Sequence, residues 1–179
     1  DADGFKLPDD VEDRIEERLA EEWARPRGAG VGRVRDLPDA SADYVAHVLR
    51  GAPTPLTGLR VVVDCANGAA SKVAPEALRR AGAEVIAIHA SPDGLNINDG
   101  CGSTHMEDLV EAVLEHGADV GIAHDGDADR CLAVDAAGEL VDGDQILAAL
   151  AVGLRDSARL LGSTVVSTVM SNLGFRLAM

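Results

Sequence analysis

Residues 59–70, LRVVVDCANGAA, decide how the rest of the chain reads. A short, nearly continuous apolar run that stops at a glycine turn is the pattern of a strand buried on both faces. Such strands belong to parallel sheets with helices on either side. Asn67-Gly68 is expected to supply the unusual backbone angles of a strand-to-helix turn. The stretch lacks the lysine and the glycine spacing of a P-loop, so it reads as a turn rather than a phosphate cradle.

Outward from this strand the alternation continues. Residues 71–83 read as a helix stopping at Gly82, and residues 84–89, EVIAIH, as the next strand. After a long loop comes a helix over 104–117, with Thr104 and Glu107 as a capping box and Gly117 past its end. Residues 118–125, ADVGIAHD, form a third buried strand, and residues 130–143 alternate around a glycine turn as a hairpin. Residues 142–154 supply a closing helix, and residues 163–179 begin a further strand-then-helix unit.

Upstream, Val11, Ile15, Leu19 and Trp23 recur every fourth residue in an amphipathic helix over 7–24. A Gly-, Pro- and Arg-rich connection covers 25–40. A second helix starts near Ala42, with Tyr44, Val45, Val48 and Leu49 on one side. Gly51, Pro53 and Pro55 stop it and mark a domain boundary. Strands alternating with helices imply right-handed βαβ units. The expected class is therefore α/β: a three-layer α/β/α domain with a mostly parallel, mixed sheet.

A length of 179 residues fits one domain, or one whole domain carrying pieces of its neighbours. Hydrophobic residues make up 46% but aromatics only 2%, so the core must be aliphatic. The net charge of −15 argues against nucleic acid or an anionic membrane as a partner, since both want a positive face. Cys65, Cys101 and Cys131 are odd in number and dispersed, which suits a reducing, cytoplasmic setting rather than a disulfide framework. No stretch approaches the length of a membrane span, and the N-terminus carries no signal pattern. Without an initiator Met, and ending mid-pattern, the chain is expected to be an internal piece of a longer protein.

The chemistry concentrates in residues 122–134, IAHDGDADRCLAV. Asp125, Asp127 and Asp129 stand at alternate positions beyond a parallel strand, where open α/β sheets place their ligands. Carboxylates this close repel one another unless a cation sits among them. Their oxygens are hard ligands, suited to magnesium or calcium rather than zinc. An EF-hand fails: Arg130 stands where it needs glycine, Ala136 where it needs the closing Glu, and the flanks are strands. A haloacid-dehalogenase-type phosphatase shares the D-x-D start but not Asp129, and it needs a downstream lysine. Lys6 and Lys72, the only lysines, both lie upstream. What remains is a magnesium site open to a phosphate oxygen, with Arg130 offsetting charge or gripping the phosphate, or else an Asx-rich turn held by its own hydrogen bonds.

The string AHDGDADRC, residues 123–131, resembles the metal loop of the α-D-phosphohexomutases. VVVDCANGAA (61–70), LNINDGCGSTH (95–105) and VDGDQILA (141–148) resemble, in the same order, that family's second domain. GFKLPDDVEDRIEE (4–17) resembles the close of its first domain, and residues 163–179 the opening of its third. The resemblance implies limits of 1–52, 53–158 and 159–179 for these three parts, the outer two being partial pieces of neighbouring α/β domains. CGSTH points to the branch acting on glucosamine phosphates.

In that family Asp125, Asp127 and Asp129 would hold Mg2+, with Arg130 as their charge partner. The implied reaction interconverts glucosamine 6-phosphate and glucosamine 1-phosphate through a phosphoserine and a 1,6-bisphosphate, toward UDP-N-acetylglucosamine. The family's S-A-S-H-N-P-type serine loop is expected before residue 1, and its sugar and phosphate loops after Met179. The implied partners are thus a phosphosugar and the missing domains of the full-length chain, and the piece alone is expected to be inactive. The rivals are a mutase for mannose or glucose phosphates in the same superfamily, and a non-catalytic calcium-binding module.

Other residues invite weaker readings. His105 could face a phosphate at a helix start, but a structural role beside the cap is the plainer expectation. His124 is expected to point away from Asp125, and a hard metal would not choose its imidazole. Cys65, Cys101 and His105 match no zinc spacing, and Ser103 and Ser171 read as helix-start caps rather than nucleophiles.

Overall fold

The computed structural model describes residues 2–52 and 54–179 and divides into two units, Asp1–Leu37 and Pro38–Met179. Pro53, one of the expected helix stops, lies outside the described residues.

In the smaller unit, helix α1 (Asp9–Leu19) opens with Asp9, Asp10 and Glu12, whose charge suits the positive end of the helix dipole. It stops before Trp23, whose indole N–H turns back to donate to the Arg18 carbonyl at 2.9 Å. None of its residues is buried, and Ile15, Leu19 and Trp23 are exposed. The amphipathic stripe is present without a core beneath it.

The larger unit runs α2 (Ala40–Gly51), β1 (Arg60–Asp64), α3 (Ala70–Arg80), β2 (Glu84–Ile88), α4 (Glu107–His116), β3 (Val120–His124), β4 (Cys131–Asp135), β5 (Leu140–Val141), α5 (Gly143–Asp156) and α6 (Leu173–Ala178). The sheet order is β2-β1-β3-β4-β5; β1 pairs in parallel with β2 and β3, and β4 and β5 continue antiparallel. Next to its parallel neighbours on both sides, β1 is the strand that LRVVV announced: Val61, Val62 and Val63 are all buried. Val62 packs with Leu109 and Val113 of α4, whereas Val63 packs with Ala70 of α3. Successive strand residues face opposite sides, so α4 and α3 cover opposite faces and the architecture is three-layered. Each such valine contributes about 1.5–3 kcal/mol by its burial, which makes β1 the anchor of the unit.

Several local expectations need correction. Met106, not Thr104, precedes α4, and no side chain caps that helix. Thr104 lies in a short 3-10 turn, its hydroxyl 3.2 Å from the His105 ring. The Gly102 N–H that opens this turn is held by the Asp64 carboxylate at 2.9 Å, and the helix itself begins at Glu107. The capping box occurs instead at α5, where Asp142 and Gln145 exchange side-chain-to-backbone hydrogen bonds of 2.8 Å. Gly117 does close α4 in the left-handed conformation, at φ 57°. The strand expected after residue 163 does not form: this segment pairs with no edge of the sheet, and Val166 and Val169 are exposed. An extended run becomes a strand only when another strand supplies its hydrogen bonds.

Candidate metal centre

β3 and β4 pair antiparallel up to His124 opposite Cys131, so residues 125–130 form the loop that joins them. Arg130 closes this loop on itself. Its backbone N–H donates to Asp125 Oδ1 at 3.0 Å, and its guanidinium reaches Asp125 Oδ2 through Nε at 3.0 Å and an outer nitrogen at 2.8 Å. Asp125 is buried, at 2% exposure, while Asp127 and Asp129 face solvent. One oxygen from each of the three carboxylates lies within 4.8 Å of the others. The spacing therefore does bring Asp125, Asp127 and Asp129 to a shared centre.

The charges there are unevenly balanced. Burial by itself raises the Asp125 pKa, but the Arg130 backbone N–H and guanidinium override it and hold the carboxyl at about 2. Asp129 moves the other way: the negative charges of Asp127 and Asp125 push its pKa up, and Arg130 offsets them only in part. Arg130 answers Asp125 closely and Asp129 only at 3.5 Å, so the negative charge of the outer carboxylates is incompletely offset. A hard divalent cation fits this donor set, which is all oxygen, anionic and open on one side.

The loop rests on its neighbours. The Ala69 N–H donates to the Gly126 carbonyl at 2.8 Å, joining the turn after β1 to the loop after β3. A Cβ on Gly68 would overlap that same carbonyl, and one on Gly126 would meet the side chains of Ile97 and Asn98. The unusual backbone angles of the β1 turn fall on Ala66 and Asn67, both at φ 49°, not on Gly68. Gly68 is required for close approach rather than for its angles.

A second cluster lies under this turn, and the sequence did not announce it. Asp64, fully buried at the end of β1, accepts the Ala66 N–H on Oδ1 at 2.8 Å and the Gly102 N–H on Oδ2 at 2.9 Å. His89 Nδ1 lies 3.0 Å from Asp64 Oδ2, and its Nε2 lies 3.1 Å from Asp108 Oδ2 on α4. Cys101 places its sulfur in the same group, within 4.8 Å. This mixed set is better described as a hydrogen-bonded knot than as a metal site. The carboxylate is already engaged by its donors, and burial, reinforced by the Asp64 charge, pushes the Cys101 thiol up and away from the thiolate a metal needs. One signal could have found it: an aspartate that ends a fully buried run must have donors brought to it.

The other residues singled out by sequence stay apart from the carboxylate centre. Cys65 is buried, its pKa raised to about 11 by burial and then by Asp64, while Cys131 is exposed at the start of β4. His105 is exposed in its turn. His124 lines a cavity of about 410 Å³ with Tyr44, Val48, Val73 and Asp127, and its buried Nδ1 has no partner among the described residues. Neither Ser103 nor Ser171 has a hydroxyl bonded to an imidazole or carboxylate among the described residues.

With this geometry in view, the pattern of Phosphoglucomutase/phosphomannomutase, alpha/beta/alpha domain II, matches residues 42–138. The chain belongs to this family. Two curated relatives of this phosphoglucomutase/phosphomannomutase chain, each named phosphoglucosamine mutase, come from Saccharopolyspora erythraea and Streptomyces griseus. They are 65% identical over 178 and 181 residues, covering 99% and 98% of this chain. The chain spans about 40% of the length of each. A solved phosphoglucomutase/phosphomannomutase family protein from Burkholderia thailandensis superposes with a TM-score of 0.57 at 26% identity, over 66% of this chain and 26% of that one. The family is the one that the D-G-D-x-D-R string resembles. No helix among the described residues is long and apolar enough to cross a membrane.

Proposed function

We propose that this chain is the metal-binding α/β/α part of a phosphoglucosamine mutase, with Asp125, Asp127 and Asp129 as ligands of Mg2+. The observation that carries the proposal is the convergence of three carboxylates beyond β3, one of them locked by Arg130 and the outer two offset by it only in part, Asp129 through a longer 3.5 Å contact. The names of the relatives at 65% identity support glucosamine phosphate over mannose or glucose phosphate as the substrate.

Asp125 is the fixed ligand: Arg130 orients its carboxylate and keeps it ionised through the physiological range. Asp127 and Asp129 are the exposed ligands and leave one side of the centre open toward solvent. Arg130 also keeps positive charge beside the place where a phosphoryl group would approach. Bound there, magnesium supplies charge neutralisation to a phosphoryl group in transfer. No S-A-S-H-N-P-type loop occurs in the 179 residues, so the phosphate-carrying serine and the sugar contacts are assigned to other parts of the longer protein. The limits 1–52, 53–158 and 159–179 remain the proposed parts of that protein. Three free cysteines suit a cytoplasmic enzyme.

Calorimetric titration of the chain with Mg2+ and Mn2+ tests the assignment. Binding is expected to be weak, on the order of millimolar or about −4 kcal/mol, and to be abolished in Asp127→Ala. Unchanged binding in that variant overturns the ligand assignment. Tight calcium binding without phosphate favours the calcium-module alternative. With Mg2+, glucosamine 6-phosphate and catalytic glucosamine 1,6-bisphosphate, the chain alone should form no glucosamine 1-phosphate. Turnover lost in Ser103→Ala or Ser171→Ala overturns the placement of the nucleophile elsewhere.

A further inference from the structure

The structure assigns to His89 the role of a positioning residue for the aspartate loop, acting through Asp64 and the turn after β1. Its backbone is the first sign. His89 sits at φ 46°, a left-handed conformation uncommon for residues that carry a side chain. Two surrounding groups hold the ring: Asp64 Oδ2 faces Nδ1 at 3.0 Å and Asp108 Oδ2 faces Nε2 at 3.1 Å. Asp108 on α4 thereby sets the rotation of the ring, and Nδ1 supplies Asp64 with a side-chain contact beside two backbone donors.

From this knot two backbone paths lead to the aspartate loop. The His89 carbonyl accepts the Asn67 N–H at 2.6 Å, which fixes the turn whose Ala69 N–H holds the Gly126 carbonyl at 2.8 Å. Asp64 also holds the Gly102 N–H, and Gly102 packs so closely on the His124 carbonyl that a Cβ there would overlap it. His124 directly precedes Asp125. The knot therefore touches the backbone on both sides of Asp125, while its own side chains lie outside the carboxylate centre. Asp64 is too deeply buried to be replaced without endangering the fold. His89, with its side chain 26% exposed, is the member that can be changed.

The test uses the 179-residue chain, wild type, His89→Ala and His89→Asn, with amide hydrogen exchange and Mn2+ titration as readouts. An asparagine amide nitrogen takes the place of Nδ1 toward Asp64, and asparagine tolerates a positive φ. His89→Ala should speed exchange of the Ala69 and Arg130 amides by about tenfold while Val113 of α4 stays protected. It should weaken Mn2+ binding about tenfold, within the range for residues that orient metal ligands. His89→Asn should restore most of both effects, which a merely space-filling role would not predict.

Exchange at Ala69 and Arg130 unchanged in His89→Ala overturns the assignment. So does failure of His89→Asn to restore it while Val113 remains protected. Should His89→Ala not fold, Asp108→Ala, which removes the partner of His89 Nε2 at an exposed position, carries the same test: a rise in Ala69 exchange of about threefold is expected, and none overturns it. The Mn2+ arm rests on the proposed metal site. Wild-type Mn2+ binding that is indifferent to Asp127→Ala sinks the metal site, while the exchange arm still decides the role of His89.

Discussion

Asp64 ends β1 and Asp125 follows the end of β3, so the two stand near each other at one edge of a parallel pair, with Asp64 opposite Ala123 in the register. Both are buried, yet they are held by different means. Asp64 draws two backbone amides and an imidazole, which come from three separate segments. Asp125 draws almost everything from Arg130, five residues away. A carboxylate supplied from afar becomes a structural rivet, since removing it releases every segment it holds. A carboxylate supplied locally can join other carboxylates and leave their charge available to an ion.

The widest separation between the two should appear on truncation. In Asp64→Ala the amides of Ala66 and Gly102 and the ring of His89 lose their acceptor, and each buried group left unpaired costs about 1–3 kcal/mol. The expected loss is about 3–5 kcal/mol in urea unfolding. A midpoint within error of wild type would break the comparison from the Asp64 side.

Next comes Gly68→Ala, where the added methyl must push the β1 turn away from the Gly126 carbonyl. A destabilisation of about 1–3 kcal/mol is expected, together with weaker Mn2+ binding. Loss of stability with unchanged affinity would mean that the loop holds its shape without the turn.

Asp127→Ala should behave in the opposite manner, with the urea midpoint unchanged and metal binding gone. Calorimetry beside unfolding would read both. A folded variant that still binds the ion would make the loop an ordinary Asx turn.

The smallest effects are those of pH. The folded pKa of Asp125, about 2, lies below its ordinary 3.8, so its contribution is complete above about pH 4 and fades as pH falls toward 2. Asp129 has the opposite sign. Its raised pKa means that its ionisation opposes folding, so this cost grows as pH rises through the acid range. Asp129→Asn should therefore slightly stabilise the metal-free chain at pH 7, and magnesium should erase the difference by stabilising only the wild type. Urea midpoints at pH 3, 5 and 7, with and without magnesium, would check both signs.

This contrast also separates what the sequence disclosed from what it withheld. The strands β1, β2 and β3 and the helices between them were legible because periodicity within ten residues reports burial directly. The aspartate centre was legible for the same reason, since its three carboxylates and its arginine lie within six residues. The Asp64 knot was not, because His89 and Gly102 lie 25 and 38 residues away and only the fold brings them in. Thr104 and Glu107 carried the right letters for a capping box, but Thr104 is spent in a separate short turn and Met106 stands in front of α4. Valines 165, 166 and 169 spell a strand, yet strand formation depends on a neighbouring edge that no local pattern contains.

The contact between Gly68 and Gly126 constrains how such a chain can vary. Most tight packings can drift, because a larger side chain on one partner is answered by a smaller one on the other. Here the first residue already has only hydrogen where a side chain would go, and the second offers its carbonyl, which substitution cannot shorten. Gly126 is hemmed in by Ile97 and Asn98 as well. No second-site change within the pair can rescue an alanine at position 68, so reversion should dominate any selection for suppressors. A suppressor that does arise should map to the 97–98 loop, the one wall able to retreat.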